Sequence, residues 1–289
     1  MEYKTLKSTE DESVNFIKET SSGYLECRYV RRTDDYFIVY LSSQSGCNRG
    51  CKFCHLTATG QTKFENVTAE EYIEQTQQVF NHYLTKKTAK EVNFNWMARG
   101  EALANSILLE NAFPILSKLT QMSSDLNLFP KFNISTIMPR NLQGKDLKDI
   151  FRGITPTIYY SLYSLDPVFR KQWMPGALGA SVALDMLTEY QLASNKIIKL
   201  HWAFIEGQND SIECLDNIFN EIDKRNLIVD FNLVRYNPYS PLQGQEPSIE
   251  VLNRNLNYIK SRIQGRARMI NRVGFDVKAS CGMFIEKKD

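Results

Sequence analysis

Half of the chain's six cysteines fall within eight residues, in Cys47-Asn48-Arg49-Gly50-Cys51-Lys52-Phe53-Cys54. Thiols this close in sequence converge in space, so the fold has to present this loop as one ligand set. Three thiolates are one short of a closed tetrahedral zinc site. They are also one short of the four that hold an ordinary ferredoxin cluster. An iron–sulfur cubane held by three cysteines leaves one iron open, and an open iron can bind a substrate. The competing reading is a zinc site completed by His55, Cys27 or Cys281.

At 289 residues the chain can form one large α/β domain or two small ones and bury a substantial core. Hydrophobic residues make up 43% and charged residues 24%, as in soluble globular proteins. The net charge of +2 is nearly balanced, so any nucleic-acid face has to be a local patch. Met1-Glu2-Tyr3-Lys4 opens no apolar targeting segment, and no apolar run is long enough to span a bilayer. These features predict a cytoplasmic protein with no membrane partner. In that reducing compartment, clustered cysteines are metal ligands rather than disulfides.

The first 20 residues are polar and charged and read as a loose arm or a short helix. Residues 23–31 and 36–42 read as two strands joined by Arg32-Thr33-Asp34-Asp35. With Thr33 and Asp34 as the turn, Cys27 lies opposite Tyr40 and faces the same way. Thr68-Ala69-Glu70-Glu71 is a capping-box helix start, with Ile73, Val79 and Phe80 on one side. Strands at 91–97, 131–137, 157–163, 197–205 and 228–234 alternate with helices near 106–123, 144–151, 180–193, from Asn209 or Asp210, and 247–263. Counting the strand that feeds the cysteine loop, these are six βα units. The fold class they predict is α/β, a partial (β/α)6 barrel with an N-terminal β-hairpin and a C-terminal extension. The divisions are 1–35 for the arm and first hairpin strand, 36–245 for the barrel, and 246–289 for the last helix and a cysteine-bearing segment. Ligands of such folds gather at the carboxyl ends of the strands, where the cysteine loop sits.

Several strand ends carry groups suited to a polar ligand. Gly100 allows close backbone approach, and Glu101 can receive an ammonium group. Ser135-Thr136 and Ser161-Leu162-Tyr163 offer hydroxyls for a ribose or carboxylate, or ordinary turn chemistry. Asn237 offers an amide able to read a base edge, or an Asn-Pro turn. Cys281, flanked by Gly282, reads as a flexible reactive thiol, and Cys214 as a core residue on a helix.

The CxxxCxxC spacing, with aromatic Phe53 before the third cysteine, resembles the signature of radical S-adenosyl-L-methionine (AdoMet) enzymes. That resemblance implies a [4Fe-4S] cluster on Cys47, Cys51 and Cys54, with AdoMet on the open iron and its amine held by the Gly100-Glu101 pair. Beyond the generic motif, Ser42-Ser43-Gln44-Ser45-Gly46-Cys47 is similar to the cluster segment of the RlmN/Cfr RNA methyltransferases. Gly100-Glu101, Ser135-Thr136, Ser161-Leu162, Asn209-Asp210 and Asn237-Pro238 follow in that family's order. Asp276-Val277 through Cys281-Gly282 looks like its C-terminal signature. The resemblance covers residues 24 to 284 and implies methylation of an adenine carbon, C2 ahead of C8, in rRNA or tRNA. Cys281 would carry the methyl group, and the resemblance implies an electron donor such as flavodoxin and a monomeric enzyme.

The chain departs from that family at instructive positions. Tyr40 stands where the family has its resolving cysteine, and Cys27 where it has a glutamate. Since Cys27 is expected opposite Tyr40, it is the candidate replacement thiol, with Glu26 or Tyr40 handling protons. Ala102 replaces the usual proline and Tyr163 the usual histidine. Too little chain precedes the hairpin for the family's N-terminal accessory domain. RNA contacts are then expected from Arg28, Arg31 and Arg32 and from the stretch Arg254–Lys278, with seven Lys/Arg against the single acid Asp276. Two other readings keep part of the pattern: a radical AdoMet enzyme acting on a free nucleotide or small metabolite, and a non-catalytic zinc-stabilised RNA-binding protein.

Overall fold

The computed structural model describes residues 2–86 and 88–286. Its frame is one ten-stranded sheet in which every strand pairs with its neighbour in sequence. Strands β1 (Lys4–Lys7), β2 (Val14–Glu19), β3 (Tyr24–Arg31) and β4 (Tyr36–Tyr40) form an antiparallel meander. From β4 the sheet turns parallel through β5 (Glu91–Trp96), β6 (Phe129–Thr136), β7 (Thr157–Tyr160), β8 (Ile198–Ala203) and β9 (Val229–Val234). These six strands are the partial barrel expected from the sequence. A further parallel strand, β10 (Ala267–Ile270), extends it beside β9.

Helices cover the outside. A short α1 (His55–Ala58) follows the cysteine loop, then α2 (Ala69–Tyr83), α3 (Ser106–Glu110), α4 (Ala112–Ser124), α5 (Leu147–Ile150), α6 (Pro167–Trp173), α7 (Ala180–Ser194), α8 (Ile212–Asp223) and α9 (Ile249–Arg262). The start of α2 is fixed as the sequence predicts: Thr68 accepts from the Glu71 amide while Glu71 returns a bond to the Thr68 amide. In α8 the buried residues are Leu215, Ile218, Phe219 and Ile222, the spacing that puts one stripe on the sheet. Each such side chain contributes about 1.5–3 kcal/mol by leaving water. This helix is capped by Ser211 rather than by Asn209 or Asp210. Asn209 instead ties its own loop together, accepting from the Ile205 amide and donating to the Tyr163 carbonyl.

Strand alternation sorts the two faces of the barrel. Val92, Phe94 and Trp96 of β5 are buried on the helix side. Asn93 and Asn95 line the lumen together with Asn133, Tyr159, His201, Asn232 and Arg268 of the other strands. Among the described residues no helix is long and apolar enough to cross a membrane.

Three expectations are corrected by this architecture. The first 20 residues are neither loose nor helical, since β1 and β2 extend the sheet there, with Val14, Phe16 and Ile17 buried. The extension after residue 245 carries β10, too short and polar to stand out in sequence. The third concerns register. Arg28, not Cys27, lies opposite Tyr40, because the connection is one residue longer than a Thr33-Asp34 turn allows. A one-residue slip sends every side chain to the other face. Cys27 therefore pairs with Phe16 and is fully buried on the α2 side. Burial, then the nearby Glu74 carboxylate, pushes its thiol well up. A neutral thiol on the wrong side of the sheet cannot replace a resolving cysteine at Tyr40.

Candidate active site

The cysteine loop leaves β4 and crosses the carboxyl ends of the parallel strands. Its shape is held by the backbone: the Cys47 amide donates to the Gln61 carbonyl and the Lys52 amide to that of Trp173. Phe53 stacks on Tyr163 with ring centroids 4.3 Å apart and planes 9° from parallel, fixing the loop against the end of β7. Tyr163 is itself held at φ 61°. The thiols of Cys47, Cys51 and Cys54 line one cavity of about 160 Å³.

Most residues expected at the site meet in that cavity. Gly100, Glu101, Ser135, Thr136, Ser161, Tyr163, Asn237 and Cys281 all line it. Leu162 does not, since its side chain is fully buried in the core and its carbonyl accepts from Arg170. Gly100 sits at φ 87° and lies so close to Gln44 that a Cβ would meet the Gln44 backbone nitrogen at 2.7 Å. The close approach lets the Gln44 side chain accept from the Glu101 amide, at 3.1 Å.

Glu101 is buried, and its carboxylate receives the amides of Leu103 (3.2 Å) and Ile137 (3.1 Å). Burial raises its carboxyl above the usual range, against the opposing pull of Thr136 and these two amides. No lysine or arginine among the described residues forms an ion pair with it. A buried carboxylate facing a cavity with only neutral donors fits an incoming ammonium group.

The three thiols line one cavity without converging on a single ion. Zinc requires thiolates about 2.3 Å from a common centre, and among the described residues no three His, Cys, Asp or Glu groups close on a single metal ion. The expected fourth zinc ligands fare no better. His55 Nε2 is engaged with the Asn237 carbonyl at 2.9 Å, Cys27 lies across the sheet, and Cys281 alone reaches the cavity.

Asn237 is in place but already employed. Its amide nitrogen donates to the Cys281 carbonyl (2.9 Å) and to Ser280 Oγ (3.3 Å), while its oxygen accepts from Arg272 at 2.7 Å. It therefore docks the C-terminal segment rather than presenting a free edge to a base. Cys281 lines the cleft and touches a second cavity shared with Arg28, Arg32, Tyr40 and His201. Burial among its neighbours, then Cys54, pushes its thiol up to about 11. Gly282, at φ 77°, turns the chain so that its carbonyl accepts from the His55 amide at 3.1 Å, joining this segment to the cysteine loop. The segment is pinned, not flexible. Cys214 packs at the edge of the core, with Sγ 3.6 Å from Ser164 Oγ.

No family model matches the chain. It is 28% identical to the dual-specificity RNA methyltransferase RlmN of Campylobacter hominis over 262 residues, covering 87% of this chain and 67% of that protein. RlmN of Sulfurovum sp. is 26% identical over 267 residues, 92% of this chain and 71% of the relative. The chain is thus similar to RlmN proteins over most of its length. In fold, the chain matches a radical SAM methyltransferase from Sphaerobacter thermophilus at a TM-score of 0.78 and 20% identity, over 97% of this chain and 79% of that one.

Sequence reading missed His201, which lies at the junction of the site and the lumen. Burial pushes its imidazole down to about 4, so it is neutral near pH 7. Nδ1 is buried without a hydrogen-bond partner among the described residues. It also overestimated the basic stretch 254–278. Arg262 is paired with Asp216 and Asp223, Arg272 with Glu246, and Arg268 faces the lumen.

Proposed function

We propose that the chain is a radical AdoMet methyltransferase that places a methyl group on an adenine carbon, C2 ahead of C8, of tRNA or rRNA. The observation that carries this reading is the meeting of Cys281 with Cys47, Cys51 and Cys54 in one cavity, from opposite ends of the sequence. When bound, a [4Fe-4S] cluster supplies the electron that cleaves AdoMet, drawn from a one-electron donor of the flavodoxin kind. Cys47, Cys51 and Cys54 hold the cluster. Glu101 receives the methionyl ammonium group, and Ser135, Thr136 and Ser161 offer hydroxyls to the rest of the cofactor. Cys281 carries the methyl group to the base. That the relatives are named dual-specificity RNA methyltransferases supports the RNA substrate.

The test is mass spectrometry of the Cys281 peptide from active protein. An S-methyl or methylene mark is expected, and a consistently bare Cys281 overturns the reading.

A second reading, a free nucleotide or small metabolite as substrate, is favoured by Tyr40. It is a phenol beside the Cys281 cavity where the resemblance implies a thiol. An RNA substrate requires binding that weakens steeply with salt, and a small metabolite does not.

A further inference from the structure

The cavity is closed on one side by a segment whose backbone is gripped from beneath by three fully buried charged residues. Glu26, Arg28 and Arg99 are at most 2% exposed and form two ion pairs through one carboxylate. Arg28 Nη2 lies 3.0 Å from Glu26 Oε2, and Arg99 Nε 2.8 Å from Oε1. Both arginines also reach the C-terminal segment, and Arg99 in addition donates to the Ser45 carbonyl (3.0 Å) and to Gln61 Oε1 (2.6 Å). Arg28 donates to the carbonyls of Ala279 (3.0 Å) and Met283 (2.9 Å), and Arg99 to that of Ile285 (2.6 Å). In return, the Ile285 amide donates to Glu26 at 3.0 Å. From β2, Asn15 donates to Glu26 at 2.9 Å and to the Val277 carbonyl at 3.1 Å. Both guanidinium groups also lie over the Phe284 ring, which lines the cavity.

The contacts fall on either side of Cys281 and bypass its side chain. Residues 277, 279, 283 and 285 are tied down, and the thiol stands between them. We infer that Glu26, Arg28 and Arg99 are positioning residues that hold the Cys281 segment by its backbone, so that the thiol faces the cluster cysteines at a fixed distance. This rests on the methyltransferase reading only for its purpose; the clasp itself is a statement about the segment.

The geometry also reassigns Glu26. A carboxylate already engaged by two arginines, an asparagine and a backbone amide is a hub for hydrogen bonds, not a base awaiting a proton. Arginine suits the task because its planar fork reaches two carbonyls while retaining the ion pair.

The test uses the protein as purified, with Arg28→Lys and Arg99→Lys, which keep charge and lose the fork. Peptide-resolved amide exchange and iodoacetamide labelling are read together. Exchange across 277–285 and labelling of Cys281 are expected to rise at least about tenfold, with exchange in β7–β8 and labelling of Cys214 unchanged. Asn15→Ala, which spares both ion pairs, is expected to loosen the same segment to a smaller degree and serves if the arginine variants do not fold. Unchanged exchange across 277–285 in the folded variants overturns the clasp.

In cluster-loaded protein, Arg28→Lys, which leaves the contacts of Arg99 to the cysteine loop in place, is expected to cleave AdoMet at near the parent rate while methyl transfer per cleavage falls about tenfold or more. A merely structural defect lowers both together, and parallel loss overturns the positioning role. A parent protein that never carries a methyl group on Cys281 defeats the methyltransferase reading, and the exchange result still decides the clasp.

Discussion

At the scale of the residue, burial decides what each charged group can do. Burial raises the carboxyls of Glu26 and Glu101 alike, but Arg28, Arg99 and Asn15 hold Glu26 below the usual range, whereas Glu101 has neutral donors and stays above it. For Glu26 the sign follows from linkage. Its folded pKa is below the unfolded value, so its stabilisation is present above about pH 4.3 and is lost as pH falls toward the folded value. Glu26→Gln leaves two buried arginines without their counter-charge and is expected to cost about 3–5 kcal/mol at pH 7. The gap from the parent should narrow on acidification, as urea titrations from pH 7 to 3 will show. Glu101→Gln retains shape and removes charge. Calorimetry should show AdoMet affinity about tenfold weaker or more, with folding stability at neutral pH unchanged or raised.

At the scale of the element, local signals in the sequence were readable and pairings between elements were less so. The Thr68–Glu71 box and the apolar stripe of α8 rest on contacts within a few residues, and both stand in the structure as the sequence predicts. Thr68→Ala should cost about 1 kcal/mol in thermal unfolding. The β3–β4 register was misplaced because Arg32-Thr33-Asp34-Asp35-Tyr36 contains no Asn-Gly or Asp-Gly pair to fix the turn. That single slip moved Cys27 from the lumen into the core. Cys27→Ala should lower stability by about 1–2 kcal/mol by leaving a small cavity, yet leave turnover unchanged. A loss of turnover without a loss of stability would return Cys27 to the site. β2 is not legible in the sequence because Asn15, buried for its bond to Glu26, interrupts what would otherwise be an apolar run, and β1, Lys-Thr-Leu-Lys, is short and mostly exposed.

At the scale of the whole molecule, the cysteine motif located the site and the repeating βα pattern supplied the barrel beneath it. The arrangement of the two chain ends was not legible, because Asn15, Glu26 and Arg28 show their purpose only beside residues more than 250 positions away. The N-terminal strands also shield β3: β2 pairs along its edge, with Val14 opposite Tyr29 and Phe16 opposite Cys27. Removing residues 1–19 should expose the β3 edge and give soluble aggregates in size-exclusion chromatography.

The contact between Arg28 and Ala279 spans 251 residues. At a synthesis rate of about 5–20 residues per second, these partners leave the ribosome on the order of ten to fifty seconds apart. Through that interval the barrel strands and the cysteine loop can assemble while the segment over them is still missing. The mouth of the cavity is then widest before residues 277–285 dock, and their docking closes it. Chain order thus sets a sequence of events: the segment that bears Cys281 is made after the strands and the cysteine loop over which it docks.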